Sequence, residues 1–139
     1  MTQSTIAYLM NSLLFSLIYM NIGMKENEMT NTNLEAEVTQ LHAEICAGLA
    51  DPNRILILYA LSQGSRNVTE LCNELNMTQP LVSRHLKILR ERGMVTTERR
   101  GTVIIYTLGD AKLVEALDLL RAAMRDILAK RATLVGAIS

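Results

Sequence analysis

Residues 78–93 read TQPLVSRHLKILRERG, and this stretch decides the fold. Thr78 or Gln79 can cap the amino end of a helix, and Pro80 fits the first turn because a missing N–H is harmless there. Apolar residues recur three and four apart and predict one inward stripe of Leu81, Val82, Leu86, Ile88 and Leu89. Gly93 is a natural carboxyl-terminal cap, so the sequence predicts an amphipathic helix that ends there.

The opposite face of this helix is polar and cationic. Its only acid is Glu91 at the far end, whereas a solvated helix normally mixes acids with its bases. Glutamine and arginine suit bidentate contacts with adenine and guanine edges, while serine and lysine mainly hold phosphates. We interpret the stretch as a DNA-recognition helix whose outward residues are Gln79, Ser83, Arg84, Lys87 and Arg90. A surface helix of some other small helical domain is the alternative.

The residues just upstream predict a shorter helix and a tight turn. Asn67 followed by Glu70 is a variant of the capping box. Asn76 suits the turn because asparagine tolerates the left-handed backbone conformation. One face of the short helix is apolar and carries Val68, Leu71, Cys72 and Leu75. Two short helices across a tight turn, the second one polar and basic, describe a helix-turn-helix.

Two β-prone runs, Met94–Glu98 and Thr102–Leu108, follow the predicted recognition helix. The turn between them contains Gly101, so the pattern predicts a hairpin. A hairpin with Arg99 and Arg100 at its tip is a wing, and its arginines can reach phosphates or a neighbouring minor groove. The alternative is that both arginines are ordinary solvated turn residues.

Three further helices complete the predicted domain. The first covers Leu34–Leu49, and the second follows the Asp51–Pro52 cap and runs through Leu61. The last is capped by Asp110 and has an apolar stripe of Leu113, Leu117, Leu120, Met124, Ile127 and Leu128. A small domain cannot cover this whole stripe, so we expect it to pair with the first helix and with a second subunit. The predicted fold class is mainly α with a small β-hairpin wing.

Charge is distributed unevenly along the 139 residues, although the formal net charge is zero. From Thr78 to Gly101 there are six bases and two acids, which suits a protein that meets a polyanion with one face. The chain shows no nucleophile–base–orienter set, no paired carboxylates in an evident pocket and no phosphate-binding glycine loop. We therefore do not expect an enzyme.

The amino-terminal part is expected to lie outside the domain. Residues 6–24 are mostly apolar but interrupted by polar side chains, and Lys25–Asn33 reads as a polar linker. The apolar segment is near the lower length limit of a membrane-spanning helix, roughly 17 residues. It is either a membrane anchor or an extension that the working protein lacks. We expect the domain to occupy residues 34–133, followed by a tail at 134–139, in a cytoplasmic protein.

Three blocks together resemble the ArsR/SmtB family of winged-helix repressors. They are LADPNRILILYAL at 49–61, VTELCNELNMTQPLVSRHLKILRERGMV at 68–95, and the wing with IYTL at 105–108. Asn76 stands where many members have glycine. The resemblance implies a winged helix-turn-helix homodimer, paired through its first and last helices, that binds a palindromic DNA operator and responds to an inducer. The alternative is a winged-helix protein-interaction module, anchored to a membrane through residues 6–24.

The resemblance also extends the set of predicted DNA contacts. By position, Gln79, Ser83, Arg84 and His85 resemble the base-edge and phosphate contacts of family recognition helices. For His85, core packing is the alternative to DNA contact. The complete predicted DNA-binding set is Thr78, Gln79, Ser83, Arg84, His85, Lys87, Arg90, Arg99 and Arg100.

Neither metal site of the family is matched. In the metal-sensing members the box cysteine stands at the position of Asn67, while Cys72 falls inside the helix on its core face. The carboxyl-terminal site needs two histidines. Asp110 is present, but Lys112 and Ala123 occupy the histidine positions, and neither residue can ligate zinc in its ordinary state.

Other sensing chemistry has only weak candidates. Tyr59 lies near the position where persulfide-sensing members have a cysteine. His42 and Cys46 are spaced as an i, i+4 pair, which is half of a tetrahedral soft-metal site. Cys72 is a third candidate ligand, although a buried apolar role suits it better. A metal ion is therefore possible as a cofactor although the family's ligand positions are not matched, and the inducer is left unassigned.

Overall fold

The computed structural model describes the backbone of residues 26–138 and the side chains of residues 32–138. Its elements are α1 (Glu26–Leu41), a π-helical turn (His42–Cys46), α2 (Ala47–Leu49), α3 (Pro52–Ser62), α4 (Val68–Leu75), α5 (Gln79–Glu91), β1 (Val95–Arg100), β2 (Val103–Leu108) and α6 (Lys112–Ile138). The chain divides into two compact units, with the boundary after His42. Within residues 26–138, no helix is long and apolar enough to cross a membrane. The apolar segment 6–24 lies outside the described residues.

The first helix starts earlier than expected. Its described part covers Glu26–Leu41, so residues 26–33 of the predicted linker are helical. No proline or glycine lies between Glu26 and Leu41 to stop a helix, and each residue added to a formed helix gains one backbone hydrogen bond. The side chains of Leu34, Val38 and Leu41 are exposed in this unit.

Helix α3 supplies the centre of the core in the second unit. Asp51 caps it by accepting a hydrogen bond from the Asn53 backbone N–H at 2.8 Å, with Pro52 at the first helical position, as predicted. The buried apolar side chains are Ile57, Leu58, Ala60, Leu61, Leu71, Val82, Leu86, Leu89, Met94, Val95 and Leu117. They come from α3, α4, α5, β1 and α6, and from Met94 between α5 and β1, so one core joins these elements.

The helix-turn-helix has the predicted local chemistry. Both halves of the capping box are formed: the Asn67 side chain accepts from the Glu70 backbone N–H, and the Glu70 carboxylate accepts from the Asn67 N–H. Asn76 adopts the left-handed conformation, with φ of 53° and ψ of 46°. Asparagine is among the few residues other than glycine that adopt this conformation readily. The turn therefore redirects the chain from α4 into α5.

The wing is an antiparallel hairpin in which Val95 pairs with Leu108 and Arg100 with Val103. Gly101 supplies the positive φ of 64° that the two-residue turn needs. Tyr106 and Arg66 exchange two backbone hydrogen bonds, of 2.8 and 3.0 Å, which tie β2 to the chain just before α4. The hairpin is thus anchored at its base beside the helix-turn-helix.

Helix α6 leaves the core after its first turns. Its start is capped by the Asp110 carboxylate, which accepts from the Lys112 backbone N–H at 2.8 Å. Leu117 is buried, whereas the later apolar side chains of the predicted stripe are exposed. The Tyr59 hydroxyl of α3 donates to Asp118 at 2.7 Å, and the Arg121 guanidinium lies 5.3 Å from the Tyr59 ring centroid. The helix runs to Ile138, so the predicted tail 134–139 is helical as far as it is described.

Candidate nucleic-acid interface

Helix α5 has the two faces that the sequence predicts. Val82, Leu86 and Leu89 are fully buried, and Leu81 and Ile88 lie half-buried at the edges of the stripe. The predicted contact residues that are exposed on this helix and its cap are Thr78, Gln79, Ser83, Arg84, Lys87 and Arg90. Thr78 is the N-cap residue, although its side chain makes no capping hydrogen bond. The helix therefore presents one continuous polar face to solvent.

The cations of this face have few acidic partners. Lys87 has one contact with Glu91 at 3.9 Å, and both side chains are largely exposed. Such a pair is worth little because solvent screens it. Neither Arg84 nor Arg90 has an ion pair with another described residue. Their guanidinium groups are consequently available to a polyanion.

The wing adds two more exposed arginines at the end of β1. Arg99 donates to the Gly101 carbonyl at 3.0 Å, a contact within the turn itself. Arg100 donates to Glu98 at 3.0 Å, and this hydrogen bond holds the pKa of the Glu98 carboxyl below its ordinary value. Arg99 is therefore the less neutralised of the two. Both side chains lie in the turn region, where a phosphate backbone could reach them.

His85 was predicted to contact DNA, with core packing as the alternative, and it lies on the buried face of α5. Its side chain is 2% exposed, because the residue falls in phase with Val82 and Leu89 on the buried stripe. Its Nε2 lies 3.9 Å from the Asp51 carboxylate, beyond hydrogen-bond distance, and neither ring nitrogen has a partner among the described residues. Burial lowers the pKa of His85, and the charge of Asp51 opposes that shift.

Two arginines that the sequence did not single out bind backbone carbonyls near the domain's start. Arg54 donates to the Ala47 and Gly48 carbonyls, which lie at the end of α2, where helical carbonyls lose their partners. Arg92, just past the end of α5, donates to the Ala43 and Glu44 carbonyls at 2.7 and 2.9 Å. The Arg92 contacts join residues that are 48 and 49 positions apart, so local patterns give no indication of them. The Arg54 contacts span only six and seven residues, but main-chain carbonyls accept them and these have no sequence signature.

The residues at the family's metal positions have other roles in this structure. Asn67 is a capping residue, and the Asp110 carboxylate caps α6. No group of three or more His, Cys, Asp or Glu side chains within the described part of the chain could hold a metal ion. Cys46 is an exposed free thiol, while Cys72 is half-buried against the core. The donor sets of the family's two metal sites therefore do not fit this chain.

The architecture and the exposed cationic face define a class of protein. A helix that follows a tight turn and leads into a two-stranded hairpin is the architecture of a winged helix-turn-helix. The family model described as bacterial regulatory protein, arsR family, matches residues 51–97. The regulator NmtR of Mycobacterium tuberculosis is 32% identical over 99 residues, which cover 71% of this chain and 82% of NmtR. The chain belongs to the ArsR family.

Other relatives agree with this assignment. The transcriptional repressor SmtB of Mycobacterium tuberculosis is 44% identical over 77 residues, and the match spans 55% of this chain and 57% of SmtB. The crystal structure of Rv0081 from the same species has a TM-score of 0.61 at 31% identity, covering 68% of this chain and 96% of Rv0081. The repressor BigR from Xylella fastidiosa has a TM-score of 0.56 at 29% identity, covering 72% of this chain and 96% of BigR.

Proposed function

We propose that this chain is a homodimeric transcriptional repressor that binds a palindromic DNA operator. The observation that carries the proposal is the outward face of α5, with exposed Gln79, Ser83, Arg84, Lys87 and Arg90 on a helix whose other face is buried. Glutamine and arginine can bind base edges in the major groove, and lysine can hold phosphates. The names of SmtB and BigR as repressors support the same function.

The dimer follows from the apolar surface that α6 exposes. Its uncovered side chains include Leu119, Leu120, Met124, Ile127 and Leu128. Large contiguous apolar surface mostly marks an interaction site in a soluble protein. A two-fold dimer would present two recognition helices to half-sites centred about 10–10.5 base pairs apart. Because Asn67, Lys112 and Ala123 stand at ligand positions of the family's two metal sites, we do not assign a metal ion as the inducer.

Selection from a random DNA library tests this function without knowledge of the operator. The full chain is mixed with duplexes that carry a random region of roughly 30 base pairs, long enough for two half-sites. Bound duplexes should converge on an inverted repeat. Enrichment without any consensus would contradict sequence-specific binding, and a consensus without two-fold symmetry would contradict the dimer.

A further inference from the structure

The recognition helix and the wing are joined by a very short connection. Helix α5 ends at Glu91 and strand β1 begins at Val95, so only Arg92, Gly93 and Met94 lie between them. Gly93 has a φ of +70°, and its N–H donates to the Arg90 carbonyl at 3.0 Å. Met94 is buried, and its N–H donates to the Leu89 carbonyl at 2.9 Å. Any movement of this junction would therefore move the wing relative to the helix.

Arg92 fastens the junction to a distant part of the chain. One nitrogen of its guanidinium, Nη1, donates to the carbonyls of Ala43 and Glu44, and the same nitrogen lies 3.8 Å from the Glu44 carboxylate. Hydrogen bonds from an ionised donor are stronger than neutral ones. The side chain is 29% exposed, so these bonds are partly shielded from water. The carbonyls belong to the π-helical turn that precedes α2.

Two glycines enclose the same junction. A Cβ atom on the buried Gly48 of α2 would lie 2.7 Å from the Met94 sulfur and 3.1 Å from Arg92 Cδ. A Cβ atom on Gly109, at the base of the wing, would lie 2.6 Å from the Gly93 carbonyl oxygen. The Gly109 N–H also donates to the Met94 carbonyl at 2.9 Å. A Cβ atom at Gly48 or Gly109 would therefore require atoms of the junction to shift.

We propose that Arg92 is a positioning residue for DNA binding. It holds the junction against the π-helical turn and so fixes the separation between the exposed face of α5 and the arginines of the wing. This inference rests on the proposed function, because it concerns how the two DNA-facing surfaces engage one duplex together. Arg92 acts through carbonyls of its own chain, in contrast to Lys87, whose side chain is 71% exposed.

The test measures the affinity of full-length variants for the duplex that the wild type selects, over a series of salt concentrations. R92A should bind about tenfold more weakly, with an unchanged slope of log affinity against log salt. K87A is the matched control, since loss of a phosphate contact lowers that slope by about 0.9.

G48A disturbs the junction without removing any charge or donor. Its new methyl group should displace Met94 or Arg92, and it should weaken binding with the slope unchanged, like R92A. This variant decides the question if R92A does not fold. Binding within about twofold of the wild type by R92A or G48A would overturn the inference. A reduced salt slope in R92A would overturn it in favour of a phosphate contact. A wild type that selects no duplex would instead contradict the proposed function itself.

Discussion

Helices α5 and α6 are both amphipathic, but they differ in which face they leave to solvent. Helix α5 buries Val82, Leu86 and Leu89 and exposes its polar, cationic face. Helix α6 buries only Leu117 and exposes most of its apolar stripe, with Leu120 at 63% and Met124 at 52%. The cause is geometric: α5 lies against the core along its length, whereas α6 continues past the end of the core.

The difference assigns the two helices to different partners. An exposed cationic face gains free energy when it replaces counterions on a polyanion. An exposed apolar face gains free energy when it leaves water, at roughly 25 cal/mol for each Å² buried. We therefore expect α5 to meet DNA and α6 to meet a second copy of the chain. Variants at four places in the two helices and the wing test this contrast, in order of decreasing effect.

The largest effect should come from charge on the apolar face of α6. The double variant L120E/M124E should dissociate the dimer and weaken operator binding on the order of 100-fold or more, because each monomer would then bind a single half-site. Light scattering measures the molar mass, and fluorescence anisotropy measures the DNA affinity. K130Q/R131Q is the matched control, since it changes the charge of the same helix equally without touching apolar residues. A variant that stays dimeric would contradict the role of α6.

A base-edge contact on α5 should have the next largest effect. R84A should weaken binding to the selected duplex by about 1–3 kcal/mol while changing affinity for unrelated DNA much less, because a bidentate contact discriminates among bases. Competition between the two DNA sequences measures the specificity ratio. If R84A weakened both affinities by the same factor, Arg84 would be a phosphate contact instead.

The wing should contribute affinity without specificity. R99A and R100A should each weaken binding to all sequences alike and lower the salt slope by about 0.9. Arg100 is already paired with Glu98, so we expect R99A to have the greater effect. A titration against salt with both the selected and an unrelated duplex measures this. Loss of specificity in either variant would show that the wing reads bases or groove shape.

The smallest effect concerns the buried face of α5, at His85. Because burial lowers its pKa from the ordinary value of 6.5, the folded state disfavours the protonated ring. As the pH falls, the unfolded chain binds the proton before the folded chain does. The contribution of His85 to the free energy of unfolding is therefore fully present above pH 6.5 and is lost as the pH falls through the lowered pKa. Urea unfolding at about pH 7.5 and about pH 5.5 measures the free energy of unfolding. Between these two pH values it should fall less for H85L than for the wild type.

The matched control is H42Q, because this variant removes an imidazole from an exposed position outside the core. Equal losses of stability in H85L and the wild type would show that His85 is not a source of the pH dependence. If the DNA affinity of H85L fell sharply at about pH 7.5 without a loss of stability, His85 would be a DNA contact and not a core residue.

Most of the fold could be predicted because its determinants are local. Three features depend only on residues that are close in sequence. They are the capping box of Asn67 and Glu70, the left-handed Asn76 and the turn at Gly101. The stripe of α5 also follows from spacing alone. The DNA contact predicted for His85 rested on the family resemblance, whereas helical spacing puts residues 82, 85 and 89 on one buried face.

The contacts of Arg54 and Arg92 could not be predicted in the same way. Both arginines bind main-chain carbonyls, which carry no residue identity that a pattern could reveal. In the sequence, Arg92 is one of six basic residues between Thr78 and Gly101. Only the fold shows that Arg92 binds carbonyls of its own chain while Arg90 is exposed. The early start of α1 was likewise missed, because asparagine and threonine have low helix propensity but do not stop a helix that has formed.

The central claim is that α5 enters the major groove of a two-fold DNA site. Hydroxyl-radical and methylation footprinting of the full chain on its selected duplex tests this most directly, with the S83A/R84A variant alongside the wild type. The wild type should protect two major-groove half-sites about 10–10.5 base pairs apart, and S83A/R84A should lose this protection. A footprint without two half-sites, together with binding that survives the loss of Ser83 and Arg84, would contradict the account.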